Sequence, residues 1–99
     1  MKKMKLFIDV HDERNGTFPT GITDQKFSDF YQKYTKICEE EGVISLKTHV
    51  SLTDGKAFCL NMASDIKAIK TVHERVGLPY DSISEIKSVA PGDLFFNKQ

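Results

Sequence analysis

The chain has 99 residues, of which 39% are hydrophobic and 28% are charged. This length accommodates one domain around one core, and the composition is typical of a soluble globular protein and not of a disordered chain. The 14 basic residues equal the 14 acidic residues in number, so there is no electrostatic case for binding nucleic acid or an anionic membrane. We predict a single domain over residues 1–99, with residues 90–99 as a C-terminal tail.

The opening stretch, MKKMKLFIDV, is basic and then apolar, as in a signal peptide. Its apolar part is short, contains Asp9 and is not followed by a small-residue cleavage site, so we interpret it as a strand. Without an export signal, Cys38 and Cys59 are expected to be reduced thiols and not a structural disulfide. The predicted localisation is therefore cytoplasmic.

The periodicity of the hydrophobic residues, together with capping residues, glycines and prolines, predicts six elements in chain order. Thr23 is the expected N-cap of the first helix and Gly42 its end, while Ser64 and Gly77 play the same roles for the second helix. The predicted elements are a strand at 5–11, a helix between 23 and 42, strands at 43–51 and 56–62, a helix at about 65–76 and a strand at 83–89.

The order strand, helix, strand, strand, helix, strand predicts a ferredoxin-like βαββαβ sandwich of the α+β class. In this fold a four-stranded antiparallel sheet has two helices on one face. The first and third strands are expected in the centre, with the second beside the third and the fourth beside the first. We further expect two copies to form a dimeric α+β barrel.

Alternation along the strands assigns side chains to two faces of the sheet. Because Leu6, Ile8 and Val10 are apolar, that face is predicted to lie under the helices, and the face of Phe7, Asp9 and His11 is predicted to be open. A three-residue hairpin loop, TDG, pairs Leu52 with Lys56 and therefore places His49 opposite Cys59. His11, His49 and Cys59 are then expected to converge at one end of the open face.

Two imidazoles and a thiol favour nickel, copper or zinc over magnesium or calcium. The alternative interpretation is that these histidines are simply solvated on a polar sheet face. Asp9 and Asn61 are expected as hydrogen-bond partners of the ligands. His73 lies at the rim of the apolar stripe of the second helix, where it is either a packing residue or close enough to reach the edge of the sheet.

Four short motifs, IDVHD, AFCL, ASD and VHERVGLP, occur in an order that resembles the small bacterial nickel-binding ferredoxin-like proteins, a family mostly described as a domain of unknown function. The resemblance extends from about residue 7 to 89. It implies a homodimer in which two open sheet faces meet, and it implies binding of nickel or a related ion. The family motifs include Asp9, His11, Asp12, Cys59 and His73.

The resemblance departs from the family pattern on the first helix, where Tyr31 and Tyr34 replace a histidine and an aspartate. Taken with the strand geometry, it gives a predicted set of metal-site residues. These are His11, Cys59, His49, His73 and Asp9.

Three functions are compatible with these observations. The first is a cytoplasmic homodimer that binds a divalent metal. The second is a dimeric α+β barrel enzyme or small-molecule-binding module, with His11 or His49 as general base, Cys59 as nucleophile and Asp9 as the orienting residue. No glycine-rich phosphate loop, nucleophile elbow or close carboxylate pair supports the enzyme. The third is an interaction module that uses residues 94–96 of the tail, LFF, as its contact surface.

Overall fold

The structure is a computed structural model that describes residues 3–92. Its strands and helices are β1 (Lys5–Asp12), α1 (Asp24–Glu40), β2 (Ile44–Ser51), β3 (Lys56–Ala63), α2 (Ile66–Val76) and β4 (Ser82–Glu85). All neighbouring strands are antiparallel and the strand order is β2-β3-β1-β4. This order confirms the predicted ferredoxin-like α+β fold. The predicted LFF contact surface lies outside the described residues, among which no helix is both long and apolar enough to cross a membrane.

The helix ends show how the local sequence sets these elements. Thr23 caps α1 as predicted, because its side chain accepts a hydrogen bond from the backbone N–H of Lys26. The cap of α2 is Asp65 and not Ser64, since the Asp65 carboxylate accepts from the N–H of Lys67. Gly77 ends α2 at φ 73°, a left-handed conformation that favours glycine. Gly77 therefore sets the end of α2, whose last turn contains His73.

The fourth strand is shorter than predicted and ends at Glu85 instead of residue 89. Within residues 3–92 it is an edge strand that pairs only with β1, from Phe7 to Val10. One further backbone hydrogen bond joins Ile86 to Leu6. In this antiparallel register β1, which begins at Lys5, has no partner for residues 88 and 89 of the predicted strand.

The helices cover the opposite face of the sheet from the one predicted. Phe7, Asp9 and His11 are buried beneath α1 and α2, whereas Leu6 and Ile8 lie half-buried on the open face. Alternation shows which residues share a face, but it does not show which face the helices cover. The prediction assumed that the more apolar set is the covered one, and that assumption was wrong.

The pairing of β2 with β3 also differs from the prediction by one residue. The hairpin loop has four residues, 52–55, so Ser51 pairs with Lys56 and Thr48 pairs with Cys59. His49 instead lies opposite Phe58, on the open face. A shift of one residue moves every side chain of a strand to the other face. The predicted His49–Cys59 pair is therefore absent.

The core lies between the covered face of the sheet and the two helices. Ile69 and Val72 supply the buried stripe of α2, and both are fully buried. The buried residues that pack together in this layer are Phe7, Tyr34, Ile37, Cys38, Val43, Ala63, Ile69 and Val72. The layer also encloses several polar side chains, which form the site described next.

Candidate metal centre

Three buried side chains from β1 and α2 meet in the layer between sheet and helices. Asp9 and His11 are two residues apart on β1 and therefore point to the same side, and His73 projects from the last turn of α2. The Nε2 atoms of His11 and His73 lie 2.6 and 2.9 Å from the same oxygen of Asp9, Oδ2. The two rings stack at a centroid distance of 5.3 Å. One ligand atom from each residue lies within 4.8 Å of the others.

The second nitrogen of each imidazole, Nδ1, is hydrogen-bonded to backbone carbonyl groups. The Nδ1 atom of His11 lies 2.8 Å from the carbonyl oxygen of Pro79 and 3.2 Å from that of Thr17. The Nδ1 atom of His73 lies 2.8 Å from the carbonyl oxygen of Ile69. Because a carbonyl oxygen only accepts, each Nδ1 carries a proton and donates it. In the neutral form of either ring, Nε2 is then an unprotonated nitrogen that faces a carboxylate oxygen.

A lone pair that faces a carboxylate oxygen is stable only when a cation lies between them. That cation is either a proton on Nε2 or a metal ion bound by all three residues. Donor atoms at about 2.0–2.1 Å from one ion are about 3 Å apart when they are neighbours in its coordination sphere. The separation of 2.9 Å from His73 matches that value, and the separation of 2.6 Å from His11 is shorter. The donor set therefore fits a divalent transition metal.

Burial shifts the pKa values of Asp9 and His73 in one direction, and their mutual interactions shift them in the other. Burial disfavours the charged form of Asp9, but hydrogen bonds from His11 and His73 and their charges bring its pKa below the usual value of 3.8. Burial likewise disfavours the charged form of His73, but the Asp9 carboxylate raises the pKa of that imidazole above 6.5. In the metal-free protein the pair is therefore an aspartate and a histidine that retains its proton to higher pH than usual.

Asn61 holds the other oxygen of the carboxylate and also contacts the hydroxyl of Tyr34. The amide Nδ2 of Asn61 donates to Oδ1 of Asp9 and to the hydroxyl oxygen of Tyr34, both at 2.9 Å. Oδ2 of Asp9 thus remains directed at the two imidazoles. The carbonyl oxygen of Asn61 is buried and has no hydrogen-bond partner among residues 3–92. An orphaned acceptor of this kind costs about 1–3 kcal/mol, which favours a polar occupant, a water molecule or hydrated ion, beside the cluster.

Cys59 lies beside the cluster but is not one of its three donors. It pairs directly with Asp9 across the strands and is buried on the same side of the sheet. Its Sγ atom lies 3.6 Å from the hydroxyl of Thr48. Burial, and next the negative charge of Asp9, raise the pKa of the Cys59 thiol well above its usual range. Cys59 is therefore a protonated thiol, and Cys38, whose pKa burial raises to about 11, is likewise a free thiol.

Two other predicted residues lie away from the cluster. His49 is exposed on the open face, opposite Phe58, and the sheet separates it from His11. Asp12 ends β1 and accepts hydrogen bonds from the backbone and guanidinium of Arg14, which lower its pKa to about 2. The structure therefore unites Asp9, His11 and His73, places Cys59 next to them, and does not bring His49 or Asp12 into the group.

The residues that position the cluster were only partly visible in the sequence. The carbonyl groups of Thr17 and Pro79 come from loops, whose backbone directions no side-chain pattern specifies. Tyr34 was noted as a departure from the family pattern, although its hydroxyl contacts Asn61. Asn61 carries the clearest signal, because it is a polar residue within the apolar run of β3, FCLNMA.

The fold and the cluster together define a ferredoxin-like domain with a buried pair of histidines and an aspartate between sheet and helices. Residues 7–86 match the family model described as nickel responsive protein SCO4226-like, and the chain belongs to this family. The resemblance read from the sequence motifs is thereby confirmed.

Two solved structures are similar to this chain. The crystal structure of SCO4226 from Streptomyces coelicolor A3(2) matches with a TM-score of 0.71 and 28% identity, over 86% of this chain and 99% of that chain. A putative transposase from Deinococcus radiodurans R1 matches with a TM-score of 0.56 and 12% identity, over 99% of this chain and 88% of that chain, and shares the fold alone. No curated protein matches.

Proposed function

We propose that this protein is a cytoplasmic homodimer that binds a divalent transition metal through Asp9, His11 and His73. One observation supports this proposal best. Both Nδ1 atoms are hydrogen-bonded to carbonyl groups, so both Nε2 atoms point at one carboxylate oxygen. Imidazole ligands suit nickel, copper and zinc, and the description of the family as nickel responsive favours nickel among them. Two free, buried thiols are typical of a reducing compartment.

The surrounding residues would hold the ligands in place and shape the preference of the site. The carbonyls of Thr17, Pro79 and Ile69 fix the tautomer and orientation of the two imidazoles. Asn61 fixes Asp9. Three protein ligands leave coordination positions open to water, and the thiol of Cys59, one strand away from Asp9, is the nearest soft donor for a metal that prefers sulfur.

The homodimer is supported by the open face of the sheet, which is largely apolar. Ile44 and Phe58 are 51% and 38% exposed in the isolated chain. The half-buried apolar side chains of the same face are Leu6, Ile8, Val10, Leu60 and Met62. A contiguous apolar surface of this kind marks an interaction site, and a second copy offers a face of the same shape and character. Two such sheets face to face would form the dimeric α+β barrel.

Calorimetric titration of untagged, metal-free protein with nickel tests the metal site, with copper and zinc as comparisons. We expect a micromolar or tighter Kd. We expect His11→Ala to weaken binding at least tenfold, because even mutating a group that only hydrogen-bonds to a ligand typically lowers metal affinity about 10–100-fold. His49→Ala is the matched control, since it removes an exposed imidazole from the opposite face and is expected to leave the Kd unchanged. Equal losses in the two variants, or no heat in the parent, would contradict the proposal.

The apparent affinity for nickel is expected to rise with pH. A proton and a metal ion compete for the same Nε2 lone pair, and the pKa of His73 is raised above 6.5, so this imidazole must lose a proton on binding. Between pH 6 and 7.5 the affinity should increase by up to about tenfold per pH unit for each proton displaced. Titrations in two buffers of different ionisation enthalpy measure the proton release directly. An affinity that is constant over this range would place the nickel elsewhere.

A further inference from the structure

A small cavity lies next to the candidate metal centre, between α1 and the covered face of the sheet. Its volume is about 30 Å³. The ring of His11 and the side chains of Ala57 and Cys59 form its floor, and Phe27 and Tyr31 of α1 form one wall. Phe18, in the loop after β1, covers another side and is itself buried. None of the metal chemistry described above uses this space.

The surface of the cavity is apolar, although several polar residues contribute to it. Their polar atoms are directed elsewhere: the Thr48 hydroxyl donates to the hydroxyl of Tyr31 at 3.0 Å, and both nitrogens of His11 face Asp9 and backbone carbonyls. A buried water molecule needs two to four polar partners, which this lining does not offer. The cavity therefore favours an uncharged, apolar occupant over water.

The volume restricts the size of that occupant. A cavity of about 150 Å³ is large enough for benzene, whereas about 10–15 Å³ is the least that holds one water molecule. An aromatic or amino-acid-sized ligand is therefore excluded unless Phe18 moves. A diatomic molecule fits without such a movement.

We propose that this cavity binds an uncharged, apolar molecule of diatomic size, with dioxygen as the representative of the class, against the ring of His11 and the side chain of Cys59. The proposal goes beyond the metal site and does not depend on it. The cover is linked to the centre, because Thr17, the residue before Phe18, accepts a hydrogen bond from Nδ1 of His11 through its carbonyl oxygen. An occupant contacts the ring of His11 directly, because this ring lines the cavity.

Xenon, an apolar atom of suitable size, is the first probe. In methyl-resolved NMR of the full-length, metal-free protein under xenon pressure, we expect saturable shifts of the Ala57 and Ile22 methyl groups and of the His11 ring. Ala57→Val, which fills the cavity, should reduce the remaining shifts at least fivefold. Ala68→Val adds the same volume on α2, outside the cavity, and should leave them intact. Linear, unsaturable shifts, or equal shifts in the two variants, would overturn the proposal.

A second measurement needs no variant and uses dioxygen itself. Dissolved dioxygen is paramagnetic and accelerates the relaxation of nearby protons. The Ala57 methyl lines the cavity, whereas the Ala63 methyl is equally buried on the same strand and does not. We expect the relaxation enhancement at Ala57 to exceed that at Ala63 at least threefold. Equal enhancements would overturn the proposal, and neither result depends on whether nickel binds.

Discussion

An Asp9→Asn variant is expected to lose nickel binding by at least 100-fold and to be less stable than the parent in the metal-free state. Asp9 is fully buried, its Oδ2 atom lies 2.6 and 2.9 Å from the Nε2 atoms of His11 and His73, and its Oδ1 atom accepts from Asn61. Asparagine preserves the volume but removes the negative charge that pairs with His73. Removing one partner of a buried ion pair costs about 3–5 kcal/mol, because the other partner stays buried without compensation.

The destabilisation should depend on pH in a defined direction. The pKa of His73 is raised in the folded state, so the stability it contributes is complete below the unfolded value of about 6.5 and is lost as the pH rises through the folded value. The pKa of Asp9 is lowered, so its contribution is present above about 3.8 and is lost as the pH falls through the folded value. The difference between parent and variant is therefore largest between these limits.

Urea unfolding of both proteins at pH 5.5 and pH 9 measures this difference. The gap in the free energy of unfolding is expected to be widest at pH 5.5 and to narrow at pH 9. Asp54→Asn, at an exposed position of the hairpin loop, is the matched control and should change stability by less than about 0.5 kcal/mol. A gap that does not change with pH would show that Asp9 is not paired with a protonated histidine.

The order of the elements along the chain and of the strands in the sheet could be predicted because local signals agree with one another. Thr23 and Gly77 mark helix ends through hydrogen bonds made within a few residues, and Gly55 marks the hairpin at φ 67°. Once the six elements are recognised, short connections and right-handed crossovers leave few arrangements of a four-stranded sheet. The predicted strand order, with β1 and β3 in the centre, follows from these constraints.

The assignment of the covered face could not be made from the same pattern. β1 reads Leu6, Phe7, Ile8, Asp9, Val10, so both of its faces carry large apolar side chains. In a protein that leaves an apolar face open, the more apolar set is not the covered set. The covered face instead buries Asp9, which is stable there because His11, His73 and Asn61 satisfy it.

The composition of the site was predicted for some residues and missed for others, for two separate reasons. His11 and Asp9 share a face by simple alternation, so their proximity needed only the strand. The pairing of His49 with Cys59 required the loop length, and a four-residue loop in place of a three-residue one moved His49 to the other side. His73 was expected to reach the edge of the sheet at most, because the wrong face had been assigned to the helices.

The open face is the second place where one substitution has a large expected effect. Ile8 lies on the central strand β1, directly between Leu60 of β3 and Ser84 of β4. It is only half-buried in the single chain, so a polar side chain there remains in contact with water while the chain is monomeric. In a twofold dimer each substitution occurs twice, at positions that face the partner sheet.

Ile8→Glu is therefore expected to separate the dimer into folded monomers. Burying two unpaired carboxylates in an apolar interface is strongly unfavourable, so the dimer should weaken at least 100-fold. Sedimentation velocity should show the parent at twice the 11.2 kDa chain mass and the variant at the chain mass. Gln32→Glu introduces the same charge at an exposed position of α1 and should leave the parent mass unchanged. A folded Ile8→Glu variant that retains the dimer mass would move the interface away from the open face, and a parent that is monomeric at every concentration would refute the homodimer itself.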